Sequence, residues 1–205
     1  MKTIIRTTAV FVTMMIIGCS SDDDNTTEEP ISERLEYEYN IETDIPNGTG
    51  ETLIVTIPID QDKIVIDPTK VFVEITLDHD KASDLTYGYF MPNESVSRII
   101  IAGLGGNNNY DRNNILSFNP NHTQAINTTQ DYPGGIIPRG NYKQGTYSEG
   151  TQVETPLFHN MMNKNIRGNW RFLIEDYQDD LSIDDGSLIK IKLIFDEGAL
   201  EVNDQ

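Results

Sequence analysis

Residues 176 to 188 read DYQDDLSIDDGSL, five aspartates in thirteen positions. Carboxylates at this density could ligate a hard cation, or could share a proton between neighbours. An EF-hand loop is the sharpest test, because it needs oxygen donors at positions one, three and five, glycine at six and glutamate at twelve. Counted from Asp180, the sixth residue is Asp185 and the twelfth is Ile191, so the loop fails at both, and counting from Asp176 fails sooner. The same letters read equally as a hairpin turn, in which aspartate caps its own backbone and Gly186 takes positive φ.

Acid–base or nucleophilic chemistry would draw on His79, His122 and His159, the three histidines of the chain. No G-x-S-x-G elbow and no H-E-x-x-H zinc helix accompanies them, and catalytic roles require a motif or a geometry. His79 is expected to be a partly buried imidazole hydrogen-bonded near the Asp84 loop. A chain without catalysis of its own is the expectation.

Cys19 is the single cysteine of the chain, which excludes an intramolecular disulfide. It closes MKTIIRTTAVFVTMMIIGC, in which Lys2 and Arg6 precede an apolar run from Ala9 to Ile17. That run is too short to span a bilayer and reads as a secretory signal. Ile16-Ile17-Gly18-Cys19 resembles the bacterial lipobox, with Ile16 where leucine is more usual, so lipidation on the Cys19 sulfur is expected. The acidic run Ser20-Ser21-Asp22-Asp23-Asp24 that follows cannot bury enough apolar surface to fold, and reads as a tether. It also looks like the surface-export signals of lipoproteins in some Gram-negative bacteria. A lipid-anchored protein of the outer membrane is expected, on the cell surface or at the periplasmic face.

With 15 basic and 33 acidic side chains the formal charge is −18, and removal of residues 1 to 18 gives 13 − 33 = −20. Such a surface repels nucleic acid and anionic headgroups, so the acyl chains hold the protein to the membrane, and cations or neutral ligands are the expected partners.

From about residue 51 short alternating apolar runs are separated by Gly, Asn, Asp and Pro clusters, the pattern of an all-β domain. Leu53, Val55, Ile57 and Ile59 share one strand face, as do Val71, Val73, Ile75 and Leu77. Ile64 to Ile66, Ile99 to Ile101 and Ile115 to Phe118 are shorter pieces. Trp170, Phe172 and Ile174 form one inward row near the end, and Ile189, Ile191, Leu193 and Phe195 the next. Residues 157 to 166 hold the one plausible short helix or turn. An antiparallel sandwich follows, with irregular loops at 103 to 114 and roughly 119 to 156.

Several pieces, in order, resemble the P domain (Homo B) of subtilisin-like proprotein convertases. VFVEITLDHDKASDLTYGYFMP carries an apolar strand, His79, Asp84-Leu85 and Pro92 at the family's spacing. GLGGNNNYD resembles its Gly- and Asn-rich loop, and Gly140-Asn141-Tyr142 a later segment. GNWRFLIEDYQDDLSIDDGSLIKIKLIF is similar to the closing motif through Gly168, Trp170, Asp176, Asp185-Gly186 and Leu188. Met91, Gln144 and Lys190 depart from the pattern. The resemblance covers residues 53 to 195 and implies a jelly-roll β-sandwich like galactose-binding modules.

It also implies an accessory domain that sits beside a protease, while the triad scaffold itself needs a separate domain. Fewer than ~60 residues lie between the signal and the sandwich, too few for one. Sandwiches of this kind often hold a structural Ca2+, for which Asp84, Asn107, Asp111, Asp179 and Asp184 are the candidate ligands, with a metal-free turn as the alternative. The organisation expected is a signal over 1–18, the lipidated cysteine and acidic tether over 19–50, the P-domain-like sandwich over 51–197 and a tail over 198–205. The function expected is a non-catalytic surface module contacting a protein or glycan, the alternative being an accessory to a separately encoded subtilisin-like protease.

Overall fold

The computed structural model describes residues 33–48, 51–126, 132–148, 151–153, 158–177 and 186–203. Cys19, Asp179 and Asp184 lie outside them.

The strands in chain order are β1 (Leu35–Tyr39), β2 (Thr43–Asp44), β3 (Thr52–Ile59), β4 (Lys63–Val65), β5 (Val71–Asp78), β6 (Leu85–Phe90) and β7 (Arg98–Ala102). They continue with β8 (Leu116–Phe118), β9 (Gly140–Tyr142), β10 (Gly145–Ser148), β11 (Thr151–Val153), β12 (Gly168–Asp176), β13 (Ser187–Phe195) and β14 (Leu200–Val202). One six-stranded sheet runs β11-β10-β7-β6-β12-β3; the other runs β1-β13-β5-β8-β9, with β2 also on β13. β14 and β4 form a separate ribbon. Most pairs are antiparallel; β10 on β7 and β9 on β8 are parallel. The result is an all-β sandwich. No helix among the described residues is long and apolar enough to cross a membrane.

Period-two alternation explains the core. Leu53, Val55, Ile57 and Ile59 of β3, Val71, Val73, Ile75 and Leu77 of β5, and Trp170, Phe172 and Ile174 of β12 are all buried between the sheets. Trp170 sits at the centre: it stacks on Tyr89 of its own sheet at 6.2 Å and meets Phe195 of the facing sheet edge-on at 6.0 Å. Its indole Nε1 donates to the Ile166 carbonyl at 2.8 Å, so the one polar atom of this buried ring is satisfied. Residues 159–161 form a 3-10 turn, the only described piece of the 157–166 stretch with helical hydrogen bonding.

Four expectations need correcting. The sandwich starts before residue 51: β1 runs antiparallel along β13, and Leu35, Tyr37 and Tyr39 are buried, with Tyr37 edge-on to Phe195 at 6.3 Å. LEYEY alternates with tyrosine in place of aliphatic residues, so it blends into the acidic stretch before it. The end of the chain is likewise engaged, since Leu200–Val202 pairs with β4. In β13 a register shift between Leu188 and Lys190 puts Leu188 in the core and leaves Ile189 half-buried, because a bulge flips the alternation. Finally, β12 and β13 belong to different sheets and so are not the two strands of a hairpin; residues 178–185 between them lie outside the described residues.

Candidate functional site

The residues singled out in the sequence gather where β5 and β12 end and β6 begins. β5 ends at Asp78; His79 follows and exchanges backbone hydrogen bonds with Tyr110, at 3.2 and 2.8 Å. A 3-10 turn over Ala82–Asp84 then leads into β6, which lies against β12 with Leu85 opposite Asp176. This register carries the Asp176 side chain to His79.

The His79 Nε2 and Asp176 Oδ2 atoms are 3.1 Å apart, and the two side chains are 6% and 5% exposed. On the other side of the ring, the Lys81 backbone N–H donates to Nδ1 at 3.1 Å. Since Nδ1 accepts, it carries no proton, and Nε2 is the protonated nitrogen that donates to Asp176. Both nitrogens are therefore engaged. A general base needs one imidazole nitrogen free for the nucleophile's proton while the other is oriented by the carboxylate, and a metal ligand likewise needs a free lone pair. His79 offers neither. It is buried where its expected position was only partly so, and Asp176 is the partner that sequence reasoning did not assign to it.

Gly186 completes this corner from the start of β13. A Cβ on it would stand 2.3 Å from the Asp78 carbonyl oxygen and 2.7 Å from His79 Cδ2, and its φ is +82°. Only glycine lets the backbone entering β13 lie this close to the imidazole. Its carbonyl accepts from Ile45 N–H at 3.1 Å, which ties in the chain beside β2. Gly168 serves a parallel purpose at the other end of β12: a Cβ there would lie 2.8 Å from Pro92 Cβ. The motif letters His79, Asp176 and Gly186, and Pro92 and Gly168, are thus contact pairs between distant segments.

Asp84 is buried, and its Oδ2 accepts from Lys81 Nζ at 2.7 Å and its Oδ1 from Ser83 Oγ at 3.1 Å. Its carbonyl accepts from Tyr177 N–H at 2.9 Å, anchoring the chain as it leaves β12. Asp111 Oδ1 accepts from the Asn113 backbone N–H at 2.8 Å and from Asn113 Nδ2 at 3.0 Å, holding a turn. Asn107 is exposed. Among the described residues no three His, Cys, Asp or Glu side chains are grouped to hold a metal ion.

The two long loops are stitched together over this end. Asn108 is buried; its Nδ2 donates to the Gly105 carbonyl at 2.5 Å and its Oδ1 accepts from Tyr132 N–H at 2.9 Å. Asn109 N–H donates to Gly135 and Ile137 N–H donates to Asn109, at 2.8 and 2.9 Å. Asn108 was the residue to find in GGNNN: an amide can serve backbone donors and acceptors of both loops at once. The stretch expected to be irregular also supplies β9, β10 and β11.

Beneath the loops lies a tyrosine cluster. Tyr87 meets Tyr110 edge-on at 6.4 Å and Phe118 at 5.7 Å. Burial pushes the phenols of Tyr87, Tyr89 and Tyr110 upward, and those of Tyr37 and Tyr142 up to about 12. At the rim, hydrogen bonding to Asp78 and the charge of that carboxylate, with Glu42 beyond, raise the Arg112 guanidinium. His122 is half-buried, with Nδ1 lying 3.1 Å from the Ser117 carbonyl and 3.2 Å from that of Tyr142, so Nδ1 is the protonated nitrogen.

The three departures from the motif are accounted for locally. Met91 packs into the core, Gln144 Nε2 donates to the Ile99 carbonyl, and Lys190 lies on the outer face at 3.5 Å from Glu38.

No family model matches the chain. No curated protein matches it either. Among solved structures it is similar to a chain in the complex of Aeromonas sobria serine protease (ASP) with the chaperone (ORF2), at 13% identity and a TM-score of 0.49, covering 86% of this chain and 28% of that one. It is similar also to the serine protease of Aeromonas sobria at 14% identity and a TM-score of 0.47, covering 83% and 28%. This chain therefore spans under a third of the length of either.

Proposed function

We propose that this chain is a non-catalytic accessory module, anchored through lipid on Cys19 to the bacterial outer membrane and displayed on the cell surface, whose end loops contact a protein or glycan. The observation that carries the non-catalytic reading is the engagement of both His79 nitrogens within a buried corner. The anchor rests on Gly18-Cys19 after an apolar run. The jelly-roll relationship and the P-domain kinship rest on the motif letters, which contact one another in pairs.

Two experiments test this reading. Cells fed an alkyne fatty acid should label the wild-type chain and not Cys19→Ser; equal labelling would remove the anchor. Capture from surface extracts on the immobilised domain should recover a specific protein or polysaccharide, and recovery no greater than on an unrelated lipid-anchored protein would remove the binding role.

A second reading, an accessory to a separately encoded subtilisin-like protease, rests on the P-domain resemblance of the letters at His79, Pro92, Gly168 and Gly186, of which Gly168 lies against Pro92 and Gly186 against His79. A protease recovered in the capture experiment, whose stability rises on adding the domain, is its expected signature. Recovery of glycan alone would count against it.

A further inference from the structure

We draw no further inference here: the strongest candidate, the apolar row of Ile54, Leu173, Gly88 and Ile99 across the outer face of β3, β12, β6 and β7, is a sheet face with no facing element among the described residues, and nothing in the structure shows what covers it.

Discussion

His79 and Asp176 stand 97 residues apart in sequence and 3.1 Å apart in space, both buried, in a bond that holds the end of β5 to the end of β12. The two strands lie in different sheets, so this contact fastens one sheet to the other at the end where both strands stop.

Removing the acceptor tests the fastening. Asp176→Ala leaves the Nε2–H buried without a partner, at a cost of about 1–3 kcal/mol. A domain of this size loses ~2–4 °C of melting temperature per kcal/mol, so a drop of roughly 4–8 °C is expected by calorimetry for a mid-range loss. Asp176→Asn, whose amide oxygen still accepts, should lose less. Equal losses would show that the hydrogen bond is not what matters.

Gly186 makes a steric prediction. Gly186→Ala forces a Cβ into the Asp78 carbonyl and the His79 ring at positive φ. The left-handed conformation alone costs about 1–2 kcal/mol, and the collision adds to it. The melting temperature should fall at least as far as for Asp176→Ala, and chemical shifts of His79 should move. A variant as stable as wild type would contradict the close approach.

Truncation tests where the domain begins. Deleting residues up to 50 removes Leu35, Tyr37 and Tyr39 from the core, each such side chain contributing about 1.5–3 kcal/mol. That is a large part of a net stability of roughly 5–15 kcal/mol. A chain starting at Glu33 should unfold cooperatively, whereas one starting at Glu51 should show no cooperative melt.

Chelation tests the calcium candidates. Lys81 and Ser83 donate to the two oxygens of Asp84, and Asn113 donates twice to Oδ1 of Asp111. With these donors in place, excess chelator should leave the backbone amide signals of Ser83, Asp84, Asp111 and Asn113 unmoved. A chelator-dependent movement of these signals would return Asp84 or Asp111 to the ligand set.

The buried tyrosines set the alkaline limit. Their folded-state phenols are raised by burial above the ordinary value, which is ~10 in the unfolded chain. The stability they contribute is fully present below pH ~10 and is lost as pH rises through the folded-state values. Ultraviolet titration should show a late class of tyrosines that ionises together with unfolding. Ionisation of all nine tyrosines in one early step with the fold intact would contradict this burial.

Strands with aliphatic alternation were legible: the β3, β5 and β12 faces are buried as the pattern implies. β1 was not, because tyrosine and glutamate alternate there beside an acidic run, and its burial depends on a partner strand more than 150 positions away. The bulge after Leu188 was hidden for the same reason, since register is set between strands. At the candidate site, His79, Asp84, Asp176 and Gly186 were each visible as letters. Their pairing was not, because a hydrogen bond across two sheets leaves no local spacing to read.

The protonation of the His79 ring tests the account most directly. A long-range 1H–15N spectrum of the folded protein near neutral pH should show the proton on Nε2 and a bare Nδ1, as a structural fastening between Asp176 and the Lys81 N–H requires. A proton on Nδ1 with Nε2 left bare would contradict it, and would return His79 to the company of groups able to act on a substrate.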